Sequence, residues 1–599
     1  MSEDAMKFDA NAMREKYRLE REKRMRDDAN EQYVEMSGEY AHFIDDPYSD
    51  PGFSREPLKR DVNVVLIGGG FGGLQAGARL REAGIEDVCI VEKGGDFGGT
   101  WYWNRYPGAQ CDVESYIYMP LLEELNYIPT QKYARGPEIF AHAQAIGRHY
   151  NLYEDALFQT QVIETRWDAK INRWIITTDR GDSLRARFIA MANGPLSKPK
   201  LPGIPGIGDF SGHSFHTSRW DYEYTGGDAD GGLDRLAGKR IALIGTGATA
   251  VQCVPHLGEA AGHLFVFQRT PSGIDVRNNA QTDMEWAESL KPGWQRRRME
   301  NFNALVSGVP QAEDLVNDGW TDLIGKMVRV FRENRRQAVD GKAISEIMEA
   351  TNFEKMNEIR ARVDELVSDP NTAESLKPYY RMFCKRPCFH DQYLQTFNRD
   401  NVTLVDTDGQ GVDRITESGL VVDGVEYEVD CIIFSTGYEV GTSQASRTGY
   451  EIYGEDGQSL SKKWEDGART LHGMLVHGFP NCFIMSQTQG GFTVNYPHML
   501  DELAAHITHI IRHARDHDIV RVEATESAES QWVQTIIDKG MNGGALGGED
   551  CTPSYYNNEG KTSDKIRQGM PYGDGPIAFF SLLKAWREEG KFEGLELGR

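Results

Sequence analysis

The chain has 599 residues, with 66 Lys and Arg against 91 Asp and Glu, so its formal net charge is −25. Hydrophobic residues make up 39 % and charged residues 26 %, an ordinary balance for a globular protein of several domains. The acidic excess argues against a nucleic-acid partner, and no apolar window approaches the ~18 residues of a membrane span. The eight cysteines show no dense spacing, and no signal-peptide pattern opens the chain. We therefore expect a soluble cytoplasmic protein without a membrane partner.

Residues 1–60 are predicted to form an N-terminal extension of a helix followed by a linker. Residues 13–28 have helical propensity but are charged all round, so they bury little surface. The apolar side chains available for burial there are Tyr17, Leu19 and Met25. We interpret this segment as a solvated helix lying on the main body, in preference to a partner-binding arm. Residues 45–57, rich in Asp, Pro, Ser and Gly, are typical of a linker.

Two strand–turn–helix–strand units follow, and they begin about 177 positions apart. The first is predicted at 62–67, 74–83 and 88–91, and the second at 240–244, 248–257 and 264–267. Two such units predict an α/β fold with two Rossmann-like dinucleotide-binding domains.

Strand patterns fade between residues 272 and 380, which we interpret as a helical insert in the second domain. Apolar residues there recur at helical spacing, at Met356, Ile359, Val363 and Leu366. Strand patterns return at 402–405 and 431–435, and residues 540–560, rich in Gly and Asn, are predicted to form a mobile loop.

The first glycine turn fits the fingerprint G-x-G-x-x-G at the end of a strand. Gly68 permits the tight turn, Gly70 lets a pyrophosphate approach the backbone beside Phe71, and Gly73 lets helix and strand pack closely. Glu92 ends the next strand, 24 positions after Gly68, where a carboxylate accepts both hydroxyls of an unphosphorylated ribose. This turn predicts FAD or NAD; the alternative is a glycine turn with a surface glutamate.

The second turn has the same form, with Gly245, Thr246 and Gly247 followed by Ala250 at the last position. The same count of 24 positions reaches Arg269, a guanidinium that can bind a ribose 2′-phosphate. The turn predicts NADPH; the alternative for Arg269 is a surface ion pair. Together the two turns indicate a flavoprotein that takes hydride from NADPH.

Cysteine chemistry offers little support for a disulfide or metal centre. A disulfide reductase needs a cysteine pair after the first unit, where only Cys111 occurs. Cys384, Cys388 and His390 suggest a redox or zinc site, but no fourth donor lies nearby. We therefore predict no metal site and interpret the two cysteines as buried thiols around Lys385.

The stretch between the two turns fits F-x-G-x-x-x-H-x-x-x-W-[PD]. Its positions are Phe210, Gly212, His216, Trp220 and Asp221. This stretch resembles the fingerprint of Baeyer–Villiger monooxygenases, and residues 98–112, 385–386 and 397–402 resemble other segments of that family, with likeness from about 61 to 560. The resemblance implies FAD, NADPH and dioxygen, with one oxygen atom inserted beside a ketone carbonyl through a peroxyflavin. The alternative is an N- or S-oxidising flavin monooxygenase, which usually lacks the Trp220-Asp221 ending.

The same resemblance assigns roles to individual residues. Arg386 is the candidate catalytic cation, which stabilises the peroxide and the oxyanion, and Asp112 pairs with it; the alternatives are a structural ion pair and a turn cap. Residues expected at the flavin are Thr100, Trp101, Gln110, Cys111 and Tyr118. Residues expected at the 2′-phosphate end are Gln268, Arg269, Thr270 and Lys385. We expect His216 to order the domain linker without acting as a base, and Trp220 to couple domain motion to the cofactor.

The predicted division assigns 61–200 and 431–599 to the FAD domain, 201–271 and 381–430 to the NADP domain, and 272–380 to the insert. The substrate is predicted to be a small-molecule ketone. The long extension resembles members that act on large-ring, polycyclic or steroid ketones, and a bulky cyclic ketone is therefore expected. The sequence gives no oligomeric state.

Overall fold

The two predicted nucleotide units form the centres of two separate sheets. The structure, a computed structural model, describes residues 9–325, 327, 341–440, 442–540, 550–561 and 564–599. Residues 541–549, which belong to the first half of the loop predicted at 540–560, lie outside the described residues. Among the described helices, none is both long and apolar enough to cross a membrane.

The first sheet contains eight strands of the described chain. In spatial order its main path is Glu451–Tyr453, Val162–Asp168, Arg173–Thr178, Ser183–Met191, Lys59–Ile67, Val88–Val91 and Ala156–Leu157, and Cys482–Ile484 also pairs with Ser183–Met191. The central strands run parallel, and Val64, Val65 and Leu66 are fully buried. A continuous apolar run is typical of a parallel strand covered on both faces. The sheet therefore holds the first glycine turn at the carboxyl edge of a rigid strand.

The second sheet contains five parallel strands of the described residues. In spatial order they are Val402–Asp406, His263–Gln268, Arg240–Ile244, Cys431–Phe434 and His213–His216. Cys431–Phe434 pairs with Arg240–Ile244, although the sequence-based division places residue 431 in the first domain. The strand is apolar and buried on both faces, so its sequence alone does not distinguish the two sheets. We therefore move the proposed boundary to the turn at Thr436-Gly437.

Helices cover both sheets and form the insert. They are Ala10–Glu22, Phe71–Glu82, Thr100–Trp103, Ser115–Tyr118, Gly136–His149, Tyr222–Thr225, Ala248–Ala260, Met284–Ser289, Trp294–Val306, Gly341–Leu366, Pro370–Leu376, Tyr393–Thr396, Gln444–Thr448, Leu460–Lys463, Tyr496–Asp516, Glu526–Lys539, Asp564–Gln568 and Pro576–Glu589. Short strand pairs connect the layers: Tyr33–Val34 with Leu201–Pro202, Ile274–Asp275 with Cys388–Phe389, and Arg521–Ala524 with Leu595–Gly598. A three-stranded antiparallel sheet joins Arg414–Ile415, Gly419–Val422 and Val425–Glu428.

The N-terminal helix lies on the insert, as the sequence predicts. Tyr17 is buried against Phe353, and its hydroxyl accepts a hydrogen bond of 3.0 Å from Arg360. Leu19 and Met25, the other two apolar side chains available for burial in this segment, are exposed. Tyr17 and an ion pair between Arg14 and Glu349 therefore join a largely charged helix to the insert.

Candidate functional site

The first glycine turn is too crowded for any residue with a side chain at its two critical positions. Gly68 has φ +111°, and a Cβ there would lie 2.6 Å from the carbonyl oxygen of Ala192. A Cβ at Gly73 would lie 2.0 Å from the carbonyl oxygen of Gly68. The helix Phe71–Glu82 begins directly after Gly70, so its free N–H groups face the turn. This geometry fits a pyrophosphate.

The carboxylate of Glu92 closes the first turn from the neighbouring strand. It is buried and accepts hydrogen bonds from the amides of Gly69, at 2.6 Å, and Gly94, at 2.7 Å. Burial raises the pKa of Glu92, against the effect of these two amides. The position fits recognition of ribose hydroxyls by a side chain that local backbone groups hold in place.

The segment after the first unit lines the same cavity. Trp101 donates from Nε1 to the Tyr118 hydroxyl at 3.1 Å, and Thr100 begins the short helix Thr100–Trp103. Gln110 Oε1 accepts a hydrogen bond from Arg277 at 2.6 Å. Cys111 is buried, and burial raises the pKa of its thiol.

The second glycine turn repeats the geometry of the first. Gly245 has φ +112°, and a Cβ there would lie 2.4 Å from the carbonyl oxygen of Ser435. The hydroxyl of Thr246 donates to the carbonyl oxygen of Thr270 at 2.7 Å, and the helix Ala248–Ala260 starts after Gly247. Ala250 is buried inside this helix.

Cations from separate parts of the chain gather beyond the second turn. Arg269 donates to Gln32 Oε1 at 2.6 Å, and Lys385 donates to the carbonyl oxygen of Pro553 at 3.1 Å. Burial lowers the pKa of Lys385 to about 8, and the neighbouring Arg269 acts in the same direction. Thr270 receives a hydrogen bond of 3.1 Å from Arg24 of the N-terminal extension. Arg269, Thr270 and Lys385 line the same cavity, and this arrangement fits a phosphate.

The candidate catalytic pair is a two-pronged contact between a guanidinium and a carboxylate. Arg386 Nη2 lies 2.7 Å from Asp112 Oδ1, and Arg386 Nε lies 3.2 Å from Asp112 Oδ2. The side chain of Arg386 is 40 % exposed, whereas that of Asp112 is 11 % exposed. The charge of Asp112 raises the pKa of Arg386, so the guanidinium stays protonated while part of it faces the cavity.

A single cavity of about 2510 Å³ contains most of the expected site residues. Those lining it are Gly68, Gly70, Phe71, Glu92, Thr100, Trp101, Gln110, Cys111, Asp112, Tyr118, Gly245, Thr246, Gly247, Arg269, Thr270, Lys385 and Arg386. Gly73, Ala250 and Gln268 lie behind the turns and shape them; the buried amide of Gln268 donates to the carbonyl oxygen of Ser375 at 2.7 Å. The glycine turns, the buried Glu92 and the cation cluster fit FAD and NADPH in one connected space.

The fingerprint residues do not line this cavity. They lie in and around His213–His216, the edge strand of the second sheet. His216 Nδ1 accepts from the amide of Ser218 at 3.1 Å, and burial lowers the pKa of His216 to about 3, so its ring is neutral. Buried Trp220 donates to Thr225 at 3.1 Å, and Asp221 caps the helix Tyr222–Thr225. Phe210 is half-buried and Gly212 is exposed. These contacts fit an ordering role.

The interpretation of Cys384 as a thiol is wrong. Cys384 forms a disulfide with Cys551, across 167 positions of sequence, whereas Cys388 is a buried free thiol. A pairing over that separation leaves no spacing pattern in the sequence. The disulfide ties the segment that carries Lys385 to the glycine-rich segment 540–560.

Sequence reasoning missed several cavity residues because they come from segments without a motif. Trp320 of the insert lies 5.7 Å from the Arg386 guanidinium and donates to the carbonyl oxygen of Asp112 at 2.9 Å. Lys200 and Glu559 form a buried ion pair of 3.1 Å beside Arg269. Neither Lys200 nor Glu559 belongs to a motif that the sequence analysis identified.

Comparisons with known proteins agree with this site. Residues 65–229 match the family described as pyridine nucleotide-disulphide oxidoreductase. Neopentalenolactone D synthase of Streptomyces avermitilis is 53 % identical over 592 residues, covering 98 % of this chain and 99 % of that protein. Baeyer–Villiger monooxygenase ATR8 of Stachybotrys chlorohalonatus is 49 % identical, covering 100 % of this chain and 95 % of that protein. The solved polycyclic ketone monooxygenase of Thermothelomyces thermophila has a TM-score of 0.90 at 38 % identity, covering 98 % of this chain and 99 % of that one.

These likenesses extend over nearly the whole chain and include both nucleotide units. They confirm the predicted α/β fold with two Rossmann-like domains, the FAD and NADPH cofactors, and a flavin-dependent oxidoreductase. The chain belongs to the Baeyer–Villiger monooxygenases, which use NADPH and dioxygen to convert a ketone into an ester or lactone.

Proposed function

We propose that this enzyme oxidises bulky cyclic ketones to lactones, with Arg386 as its catalytic cation and Asp112 as the residue that positions it. The observation that carries the proposal is the two-pronged Arg386–Asp112 contact on the wall of the cavity that both glycine turns open into. A cation held in that way can face developing negative charge without further reorganisation.

The bound cofactors supply hydride transfer and the activation of dioxygen. The residues of this chain hold them: the first turn and Glu92 bind FAD, and the second turn with Arg269, Thr270 and Lys385 binds NADPH. Arg386 stabilises negative charge on oxygen during insertion, because its guanidinium stays protonated and presents several donors. Asp112 fixes the orientation of that guanidinium and balances its charge in a partly buried site.

A bulky substrate follows from the size of the cavity and the names of the relatives. The cavity, about 2510 Å³, is larger than the ~300–1,000 Å³ of an ordinary small-molecule pocket, as a site shared by two dinucleotides and a ketone requires. Relatives are named for pentalenolactone-type and polycyclic ketone chemistry. Aromatic groups from the insert and the C-terminal segment, Trp320 and Tyr555, line the cavity close to Arg386.

The test replaces Arg386 with alanine and follows two half-reactions separately. We expect lactone formation from a polycyclic ketone to fall by about 10²–10³-fold or more, because the oxyanion loses its cation. Flavin reduction by NADPH, measured by anaerobic stopped-flow absorbance, should stay within about twofold.

A matched control is Arg185→Ala, which removes an arginine from an exposed ion pair with Asp61 on the protein surface. Equal loss of reduction and oxygenation in Arg386→Ala would contradict the assigned role.

A product from amines or sulfides but from no ketone would favour the heteroatom-oxidising alternative. Heavy dioxygen and mass spectrometry identify the inserted atom.

The division into an FAD unit, an NADP unit with its insert and an N-terminal extension forms part of the proposal, with the boundary moved as described above. We also propose a cytoplasmic location. An internal disulfide is unusual in a reducing compartment, so the free thiols of the protein in intact cells test that location. An oxidised Cys384–Cys551 pair would count against the cytoplasm.

A further inference from the structure

A buried carboxylate lies among the cations that would bind the 2′-phosphate of NADPH. Glu559, near the end of the glycine-rich segment 540–560, has a side chain that is 5 % exposed. Its Oε1 accepts hydrogen bonds from Lys200 at 3.1 Å and from the Tyr33 hydroxyl at 3.2 Å. Its Oε2 lies 3.6 Å from Arg269 Nη2. The carboxylate therefore bridges two cations at the end of the second nucleotide unit.

The two oxygen atoms of Glu559 are not equally satisfied. Oε2 is buried and has no hydrogen-bond partner among the described residues, and the 3.6 Å contact with Arg269 is too long for a strong one. A buried carboxylate oxygen without a donor is costly. Because Arg269 Nη2 makes no short hydrogen bond to Glu559, its N–H groups could instead donate to a phosphate.

The backbone around Glu559 is shaped to present this side chain. Asn558 and Glu559 have φ of +52° and +54°, a left-handed conformation that is unfavourable for a glutamate. Asn557 Oδ1 holds the turn by accepting from the amides of Ser554, at 2.9 Å, and Gly560, at 3.1 Å. Strain of this kind, maintained by side-chain contacts, is typical of functional segments.

Glu559 carries a negative charge at neutral pH. Burial acts to raise its pKa, but Lys200, Arg269 and Lys385 outweigh burial, so the pKa of Glu559 is lowered. Three cations and one carboxylate leave an excess of positive charge, which suits a phosphate dianion. The carboxylate neutralises part of that excess whenever the phosphate is away.

We propose that Glu559 is a specificity-determining residue that competes with the 2′-phosphate of NADPH for Lys200 and Arg269, so that nucleotide binding exchanges one anion for another. The proposal rests on the 2′-phosphate site assigned under the proposed function. Lys200 becomes a phosphate ligand once Glu559 withdraws. The exchange lowers affinity for any nucleotide that carries the 2′-phosphate and leaves affinity for one without it unchanged.

The test measures binding by calorimetry on the FAD-loaded enzyme, with two fragments as probes. Adenosine 2′,5′-bisphosphate carries the 2′-phosphate, and adenosine 5′-monophosphate lacks it. Glu559→Gln should bind the bisphosphate roughly tenfold more tightly, because a competing charge is lost, while 5′-monophosphate binding stays within about twofold. Weaker binding of both probes would show a structural role and overturn the proposal, as would unchanged binding of the bisphosphate.

A second variant keeps the test decisive if Glu559→Gln folds poorly. Tyr33→Phe removes one hydrogen bond to Glu559 but keeps the ring, whose centroid lies 4.1 Å from Lys200 Nζ. We expect a bisphosphate affinity about two- to fivefold higher, because the carboxylate is held less firmly. Unchanged or weaker affinity in this variant also counts against competition.

Arg269→Ala separates failure of the proposal from failure of the site. If that variant loses selectivity for the bisphosphate but Glu559→Gln gains none, the phosphate site is right and the competition is wrong. If Arg269→Ala keeps its selectivity, the phosphate site itself is misplaced. Glu39→Gln, at an exposed carboxylate, serves as the matched control and should change neither probe.

Discussion

The two glycine turns of this chain have nearly the same backbone but differ in what surrounds them. Gly68 and Gly245 have φ of +111° and +112°, and Gly70 and Gly247, which precede the helices, share φ of −76°. In each unit the residue 24 positions later directly follows the second strand. Glu92 stands there in the first unit and Arg269 in the second.

The difference lies in where each of these two side chains finds its partners. Glu92 contacts the amides of Gly69 and Gly94, both within its own strand–turn–helix–strand unit. Arg269 contacts Gln32 of the extension and Glu559 of the C-terminal segment. The first site is therefore encoded locally, whereas the second is assembled from distant parts of the chain and can change when those parts move.

Removal of Glu92 should produce the largest effect in this comparison. Glu92→Ala leaves the amides of Gly69 and Gly94 buried without an acceptor, at a cost of about 1–3 kcal/mol each. We expect the purified variant to lose most of its FAD, measured by the ratio of flavin to protein absorbance, and to unfold at a lower temperature.

Glu92→Gln serves as the control, because its amide oxygen can still accept one of the two hydrogen bonds. We expect its FAD content to lie between those of the alanine variant and the parent. Full FAD retention in Glu92→Ala would mean that the first turn binds the cofactor without this carboxylate.

The first turn with Glu92, the proposed FAD site, is also the part of the molecule that the sequence predicted in detail. Spacing identified Gly68, Gly73 and Glu92 because each depends on neighbours within one unit, where the chain itself fixes distance. The parallel strands were equally predictable from their apolar runs. The strand Cys431–Phe434 was placed in the wrong domain because its pattern fits either sheet.

The NADPH site, which is assembled from distant parts of the chain, was predictable only in part. Arg269 follows from spacing, and family resemblance supplies Lys385 and the pairing of Arg386 with Asp112. Neither argument identifies Gln32 or Glu559 as a partner of Arg269. Lys200, Glu559 and the partner of Cys384 lie 167 or more positions from their contacts. Such pairings depend on tertiary packing, which leaves no periodic or local pattern in a single sequence.

Removal of Arg269 should give an intermediate effect. Arg269→Ala should lower the preference for NADPH over NADH, as kcat/KM, by about 10- to 100-fold, because a charge-assisted contact to phosphate contributes ~1.5–3 kcal/mol. The loss should fall on NADPH alone, since NADH lacks the 2′-phosphate. FAD content should remain unchanged, which separates the two turns.

Arg135→Ala is the matched control, because Arg135 forms an exposed ion pair with Asp230 and does not line the cavity. If Arg269→Ala keeps its preference for NADPH, the 2′-phosphate binds elsewhere. The comparison between the surroundings of Glu92 and Arg269 would then say nothing about NADPH binding.

The smallest expected effect is a pH dependence that only the assembled site should show. Burial lowers the pKa of Lys385 to about 8, and a phosphate binds its charged form. Lys385 is protonated below that pKa and neutral above it, so binding should weaken as pH rises. Between pH 7 and 9 the Kd for adenosine 2′,5′-bisphosphate should rise about tenfold.

Lys385→Arg should flatten this profile, because a guanidinium stays charged throughout that range. Binding of adenosine 5′-monophosphate should be flat in both proteins. An equal slope for both probes, or an unchanged slope in Lys385→Arg, would mean that Lys385 does not face the phosphate and that the cation cluster consists of Arg269 and Lys200 alone.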